Sequence, residues 1–322
     1  MLSGSNGTLI HLPRGYAFAI IAAGLAALMH VMPKPLLESS NGFLEIHPIT
    51  LACAIYLING LFFSPFSKNS EPYHKIGNKN TLFIILIGLA EVLGLITYFF
   101  GLRDSTAANA AILNNSEIVF SIIIAITILR ERLHKREIVP FSIVIVGIAV
   151  LPIGFDFYQR GMALTGLVTG DLLILLSGLF FALDINISKY VSDRLDSKRI
   201  AQLTSFAAGG FALGLIVFFQ IPFDISLSHI PGILITGIAG TGISTLFFII
   251  ALRSIGAVRT TVAYSTSSIF GVILAGIFLN ESITFVNIVS LIMVLSGTYL
   301  LKDKIGGKDS HDANRKWEIG KL

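Results

Sequence analysis

Charged residues are scarce in this chain. Only 13% of its 322 residues are Asp, Glu, Lys or Arg, while 54% are hydrophobic, and a soluble domain usually carries about a quarter charged residues. A folded soluble protein of this size needs a polar exterior that the composition does not supply. The scarcity of charge therefore excludes an ordinary soluble protein and predicts an integral membrane protein.

Other absences narrow the chemistry. The single cysteine, Cys53, lies in an apolar run, which excludes an intramolecular disulfide and a cysteine-based metal cluster. The seven histidines are scattered, and neither H-E-x-x-H nor G-x-S-x-G occurs, so we expect no metal, no cofactor and no enzymatic activity. No G-x-x-x-x-G-K-[ST] loop is present, so ATP cannot drive the chain directly. The net charge of +4 fits basic cytoplasmic loops and requires no nucleic acid.

The chain contains many long apolar runs. A spanning helix needs roughly 20 consecutive apolar residues, and ten windows of about that length occur. They fall at roughly 16–33, 47–66, 81–101, 105–128, 138–155, 167–187, 200–220, 230–252, 257–279 and 283–301. The sequence therefore predicts an all-α protein with ten transmembrane helices, called spans one to ten below.

One segment of the chain occurs twice. Residues 102–151 match residues 252–301 at a constant offset of 150 without a gap. Apolar matches carry little weight in an apolar chain; the informative ones are the polar pairs Arg103/Arg253 and Glu131/Glu281. A duplicated apolar half is typical of transporters whose halves rock around a central site.

The basic residues are distributed unevenly over the loops. With the N-terminus in the cytoplasm, 20 of the 23 Lys and Arg residues lie in cytoplasmic segments. This bias predicts a multi-pass protein of the cell membrane with both termini cytoplasmic. Each half holds five spans, an odd number, so the second half enters the membrane inverted. We expect one repeat in residues 1–155, a second in residues 156–302, and a polar cytoplasmic tail in residues 303–322.

Two stretches of the chain resemble a known family. The first reads STAANAAILNNSEIVF over residues 105–120 and continues to LRERL at 129–133; the second runs from GAVRTT at 256–261 to LNESI at 279–283. Both resemble the repeat of EamA-type members of the drug/metabolite transporter superfamily, in which a helix ends in Gly-Glu-Arg-Leu before a final apolar helix. The resemblance implies ten helices in two inverted five-helix repeats, a central cavity, and export or uptake of small metabolites.

The chain departs from the family pattern at one point. The family often has Glu-Pro before Val-Phe in helix four, whereas this chain keeps Glu117 but has Ile118 in place of the proline. The second repeat has Ser267-Ser-Ile-Phe270 there. A proline-induced irregularity in these helices therefore does not carry over from the resemblance.

Glu91 is the first candidate for a transport residue. It lies near the middle of span three, on a helix face with Tyr98, and Thr241 occupies the matched position in the second half. An ionisable group at mid-membrane is costly, so it tends to face a cavity or a partner. Glu91 is interpreted as a protonatable gate or a counter-charge for an amine on the substrate. The alternative is a carboxyl group hydrogen-bonded to a neighbouring helix for packing.

Glu117 is the second candidate, at the centre of span four. It shares a helix face with Asn114, and the matched face of span nine carries Tyr264 and Ser267. Two polar faces on matched helices are expected to converge where this architecture places substrate. The alternative is that these polar residues only hold helices together.

Three further ionisable residues carry weaker signals. Asp184 lies toward the cytoplasmic end of span six, where it serves transport, is solvated, or pairs with Lys189. His30, near the outer end of span one, is predicted to be an interfacial or packing residue. Lys34 is predicted to extend its ammonium group to the membrane surface.

Two functions from different classes stay open at this point. The first is a secondary transporter of a small polar or amphipathic metabolite, with proton coupling through Glu91 or Glu117 as a further hypothesis. The second is a polytopic membrane enzyme or assembly factor. Matched polar faces in a duplicated chain favour the first. Its partners would be a small-molecule substrate, the lipid bilayer and protons, while the oligomeric state, a homodimer included, is left open.

Overall fold

Helices make up nearly all of the described chain. The computed structural model describes residues 6–38, 45–68, 76–128, 135–159, 166–192 and 195–301, and no β-strand occurs in these ranges. The first helices are α1 (Asn6–Ala26), α2 (Leu28–Val31), α3 (Lys34–Leu37), α4 (Pro48–Phe63), α5 (Gly77–Asp104), α6 (Ala107–Leu113), α7 (Ser116–Thr127) and α8 (Lys135–Gln159). They are followed by α9 (Gly166–Ser192), α10 (Ser197–Phe219), α11 (Ile230–Leu234), α12 (Ser244–Ile255), α13 (Ala257–Tyr264), α14 (Ser267–Phe278) and α15 (Phe285–Leu301).

Eight helical segments of the described chain are long and apolar enough to cross a membrane. They are Arg14–Leu37, Gly77–Asp104, Ala107–Thr127, Lys135–Ile153, Val168–Ser188, Ser197–Phe219, Leu227–Ile255 and Arg259–Phe278. Two further apolar helices, α4 and α15, are shorter. An all-helical membrane protein is thereby confirmed, while the number of ten spans and their inverted arrangement stay predictions.

The surface of the bundle is apolar. Val217, Phe218 and Phe285 each expose more than three quarters of their surface. Side chains of this kind would be costly to expose to water, but they are the expected boundary with lipid tails. The excess of apolar residues, which a soluble core could not hold, is thus accounted for in part by the outer surface of the bundle.

Helices α5 and α9 approach each other closely because glycines face each other. A Cβ atom on Gly101 would lie 2.7 Å from the carbonyl oxygen of Gly170, and one on Gly170 would lie 2.8 Å from that of Gly101. Small residues at such crossings let helix backbones come into contact. This contact fixes the position of the two helices that carry Glu91 and Asp184.

Spans four and nine are both broken in mid-helix. Span four consists of α6 and α7, separated at Asn114–Asn115, and span nine consists of α13 and α14, separated at Ser265–Thr266. Both helices are therefore irregular at this point, although the chain lacks the proline of the family pattern. Short polar side chains compete with the helical hydrogen bonds of their own backbone, and both breaks consist of such residues.

The predicted position of Lys34 at the surface is wrong. The residue is only 8% exposed. Its ammonium group donates hydrogen bonds to the carbonyl oxygens of Leu102, Arg103 and Ser105 at 2.9, 2.9 and 2.6 Å. Lys34 is buried because carbonyl groups at and just after the end of α5, which have no helical partner, accept hydrogen bonds from its ammonium group.

Candidate functional site

A cavity of about 190 Å³ lies at the level of the two helix breaks. Its wall is formed by helices from both halves of the chain. The lining residues are Ala26, Met29, His30, Leu95, Tyr98, Asn114, Glu117, Phe181, Gly240, Thr241, Thr245, Tyr264 and Ser267. Six of the eight predicted site residues are thus brought together, namely Tyr98, Asn114, Glu117, Thr241, Tyr264 and Ser267.

The break of span four contacts the first turn of α14, just after the break of span nine. The side-chain amide of Asn115 donates a hydrogen bond of 2.6 Å to Oγ of Ser268. Each break is a tightened turn, in which Ile118 N donates to the carbonyl of Asn115 at 3.0 Å and Ile269 N donates to that of Thr266 at 2.9 Å. Such turns replace the regular helical pattern. They place Glu117 and Ser267 at the first turns of α7 and α14, where both line the cavity.

Glu117 is the one acidic residue among those that line the cavity. No side chain in the described part of the protein donates a hydrogen bond to its carboxyl group. The rings of Tyr98, Phe181 and Tyr264 also line the cavity, and Tyr264 is held by Phe248 in a T-shaped contact with 4.9 Å between ring centroids. A carboxylate beside aromatic rings attracts a positively charged group through charge and through the ring faces.

Thr241 lies in a π-helical segment, Ile235–Ile243. Its hydroxyl donates to the carbonyl of Gly237, and Gly240 and Thr241 form part of the cavity wall. The matched stretch around Glu91 is regular α-helix, so the two halves differ here. Segments of π-helix occur often at functional sites. In the sequence, the glycines at 237, 240 and 242 indicate an unusual helix here, although their spacing alone does not specify a π-helix.

His30 lines the cavity, which the sequence did not predict. Its Nδ1 atom lies 2.6 Å from the hydroxyl of Tyr98 in a buried hydrogen bond. The residue is 5% exposed, which agrees with the packing alternative of the prediction. The sequence contained no pattern linking His30 with a tyrosine 68 residues later.

Glu91 does not line the cavity. Its Oε1 atom accepts a hydrogen bond of 3.1 Å from Thr204 on α10, and its backbone carbonyl accepts one of 2.9 Å from the hydroxyl of Tyr56. The second carboxyl oxygen, Oε2, is buried and has no hydrogen-bond partner in the described ranges. The contact with a neighbouring helix corresponds to the packing interpretation of Glu91, and the unpartnered oxygen is a feature that this interpretation does not explain.

Asp184 interacts with both of the other acids. Its Oδ1 atom accepts a hydrogen bond of 2.9 Å from Ser188, while the side chain of Lys189 lies outside the described residues. Asp184 is close enough to Glu91 and to Glu117 to interact electrostatically with both. Asp184 on α9 thus interacts with one acid on α5 and one on α7, and of the three acids Glu117 alone lines the cavity.

Comparisons with known proteins agree with a membrane transporter. The sequence model of the EamA-like transporter family matches residues 13–152 and 168–302. An uncharacterized transporter of Methanothermobacter thermautotrophicus is 27% identical over 303 residues, which cover 89% of this chain and 85% of the relative. One of Archaeoglobus fulgidus is 26% identical over 229 residues, covering 71% and 68%. A solved crystal structure shares the fold with a TM-score of 0.61 at 13% identity, covering 89% of this chain and 95% of the other.

Proposed function

Because the chain belongs to the EamA-like transporter family, we propose that it is a secondary transporter that moves a small metabolite by alternating access. The observation that carries the proposal is the cavity at the two helix breaks. Residues at matched positions, Asn114 with Tyr264 and Glu117 with Ser267, line it together. In transporters built from two repeats, broken helices form the substrate site at the repeat interface.

The proposed architecture has ten spans in two inverted halves, residues 1–155 and 156–302, with 303–322 as a cytoplasmic tail. The gap-free offset of 150 between the halves supports it. So do the paired helix breaks and the two shorter apolar helices, which correspond to spans two and ten. The bias of basic residues supports a position in the plasma membrane with both termini cytoplasmic.

The proposed substrate carries an amino group, as in an amine or an amino acid. The support is the carboxyl group of Glu117 beside the rings of Tyr98, Phe181 and Tyr264. The hydroxyl groups of Thr241, Thr245 and Ser267 add hydrogen-bonding positions. A cavity of about 190 Å³ is suited to a molecule of a few heavy atoms rather than to a large lipid.

Proton coupling is part of the proposal and rests on the three acids. Glu117 would exchange its proton or bind the substrate at the cavity. Asp184 and Glu91 would extend the route toward α10, since Asp184 interacts with both glutamates. Groups of intramembrane acids that interact with one another are typical of proton relays.

The test is flux into proteoliposomes with an imposed pH gradient. Amines, amino acids and sugars are screened against the parent protein, Glu117→Gln and Glu91→Gln, with the exposed Asp224→Asn as a control. We expect gradient-driven movement of an amine or amino acid, reduced at least about tenfold in Glu117→Gln through loss of the charged contact and unchanged in Asp224→Asn. Flux that is unchanged in both Glu117→Gln and Glu91→Gln would contradict proton coupling. No flux of any ligand would favour the enzyme or assembly factor.

A further inference from the structure

The junction between α5 and α6 is a polar point inside the bundle. It consists of Ser105 and Thr106, which follow the last residue of α5 and precede the first of α6. Helix ends leave backbone groups without helical partners, carbonyl groups at the end of α5 and N–H groups at the start of α6. Ser105 is 2% exposed, so these groups need partners from the protein.

Residues of the first half satisfy the carbonyl side of the junction. The three hydrogen bonds of Lys34 use the carbonyl groups at and after the end of α5. Its ammonium group also forms an ion pair of 2.5 Å with Glu38. A cation at the C-terminal end of a helix is favourable for the helix dipole.

Residues of the second half satisfy the N–H side. The two carboxyl oxygens of Glu281 accept hydrogen bonds from Ala107 N at 2.8 Å and Ala108 N at 2.9 Å. The amide of Asn287 donates to Oδ1 of Asn109 at 2.6 Å. In addition, Asp171 accepts hydrogen bonds from Ser105 and Asn109. We call Asp171, Glu281 and Asn287 the junction clasp.

The junction clasp and the central cavity lie at opposite ends of α6. Glu281 binds the first two residues of α6, and Asn114, which follows its last residue, lines the central cavity. Glu281 also lines a second cavity of about 590 Å³, together with Lys34 and Arg103. The two cavities have no lining residue in common. A solute passing between them would have to part the second half from the start of α6.

We propose that Glu281 is the latch of the gate between the central cavity and the end of the bundle that carries Arg103. The gate is closed while the carboxylate holds Ala107 N and Ala108 N, and it opens when the second half carries Glu281 away from α6. This inference rests on the proposed transport function. It adds a residue that touches neither the central cavity nor the three acids, and it names the contact that must break in each cycle.

The test measures which face of the membrane reaches the central cavity. The chain has one cysteine, so Cys53→Ala provides a cysteine-free background in which Thr245→Cys, in the cavity wall, reports access. A membrane-impermeant methanethiosulfonate reagent is applied to either face of oriented vesicles. In Glu281→Gln we expect labelling from the Arg103 face to rise roughly tenfold, equivalent to about 1.4 kcal/mol, because the amide keeps one acceptor and sets an NH₂ group against the second N–H.

Controls separate gating from loss of the fold and from loss of transport. Asn287→Ala removes the neutral hydrogen bond of the junction clasp and should give a smaller rise in labelling from the Arg103 face. This variant provides the test if Glu281→Gln does not fold. The exposed Asp224→Asn should leave labelling as in the background. An unchanged rate in both clasp variants, or an equal rise at both faces, would overturn the proposal. Labelling does not require a substrate, so a parent protein without flux would refute the transport proposal and leave this measurement valid.

Discussion

Replacing Gly178 by alanine tests how α9 positions Glu117. A Cβ atom at Gly178 would lie 2.8 Å from Glu117 N and still closer to Oγ of Ser116, whereas ordinary contacts begin at 3.4 Å. Both neighbours belong to the start of α7 beside the break, so α9 and α7 must separate. Overpacking of this kind costs about 1–3 kcal/mol, while alanine gains about 0.8–1 kcal/mol in helix propensity.

Gly210→Ala is the matched control because it isolates the steric cost. Gly210 also lies inside a helix, and nothing lies within 4 Å of an added Cβ, so this variant gains the propensity alone. Unfolding in mixed micelles with increasing denaturant should therefore show Gly178→Ala about 1–3 kcal/mol less stable than Gly210→Ala. Flux should fall in Gly178→Ala only, since Glu117 moves. Equal stability of the two variants would refute the close packing of α9 against the break in span four.

Two other predictions concern buried polar contacts. Lys34→Met should lower the free energy of unfolding by about 2–4 kcal/mol, because three carbonyl groups lose a charged donor; a change near zero would fit a lysine at the surface instead. Tyr98→Phe should cost about 1–2 kcal/mol, because Nδ1 of His30 loses its partner at 2.6 Å. A double-mutant cycle with His30→Leu should give a coupling of about 1 kcal/mol, and strictly additive effects would show that the hydrogen bond contributes nothing.

The membrane class and most helix positions were predictable because they depend on local composition. Runs of apolar residues of spanning length produce helices whatever their partners are. The stripe containing Asn114 and Glu117 was predictable for the same reason, since helical spacing sets which residues share a face. The meeting of this stripe with Tyr264 and Ser267 followed from the offset of 150.

The sequence did not predict features that depend on distant backbone groups. Lys34 was expected at the surface because its partners are carbonyl oxygens 68 to 71 residues away, and carbonyl groups leave no trace in a sequence. Glu91 shares a helix face with Tyr98 by spacing, yet only Tyr98 lines the cavity. Glu91 instead contacts Thr204, because the position of α10 decides its environment. The π-helical segment around Thr241 packs against α1 and α4, and sequence periodicity does not encode such packing.

The breaks in spans four and nine have a mechanical consequence. A continuous helix moves as one rigid body, so a displacement at one end also displaces the other end. Two short helices joined at Asn114–Asn115 can be displaced separately. Helix α6 can therefore stay fixed to Glu281 at one end of the bundle while α7 tilts at the other end. Helices α13 and α14 are likewise separate segments, joined at Ser265–Thr266. Residues beside both joints, namely Asn114, Tyr264 and Ser267, line the cavity, so a small molecule bound there would contact both joints and bias the orientation of the segments on either side.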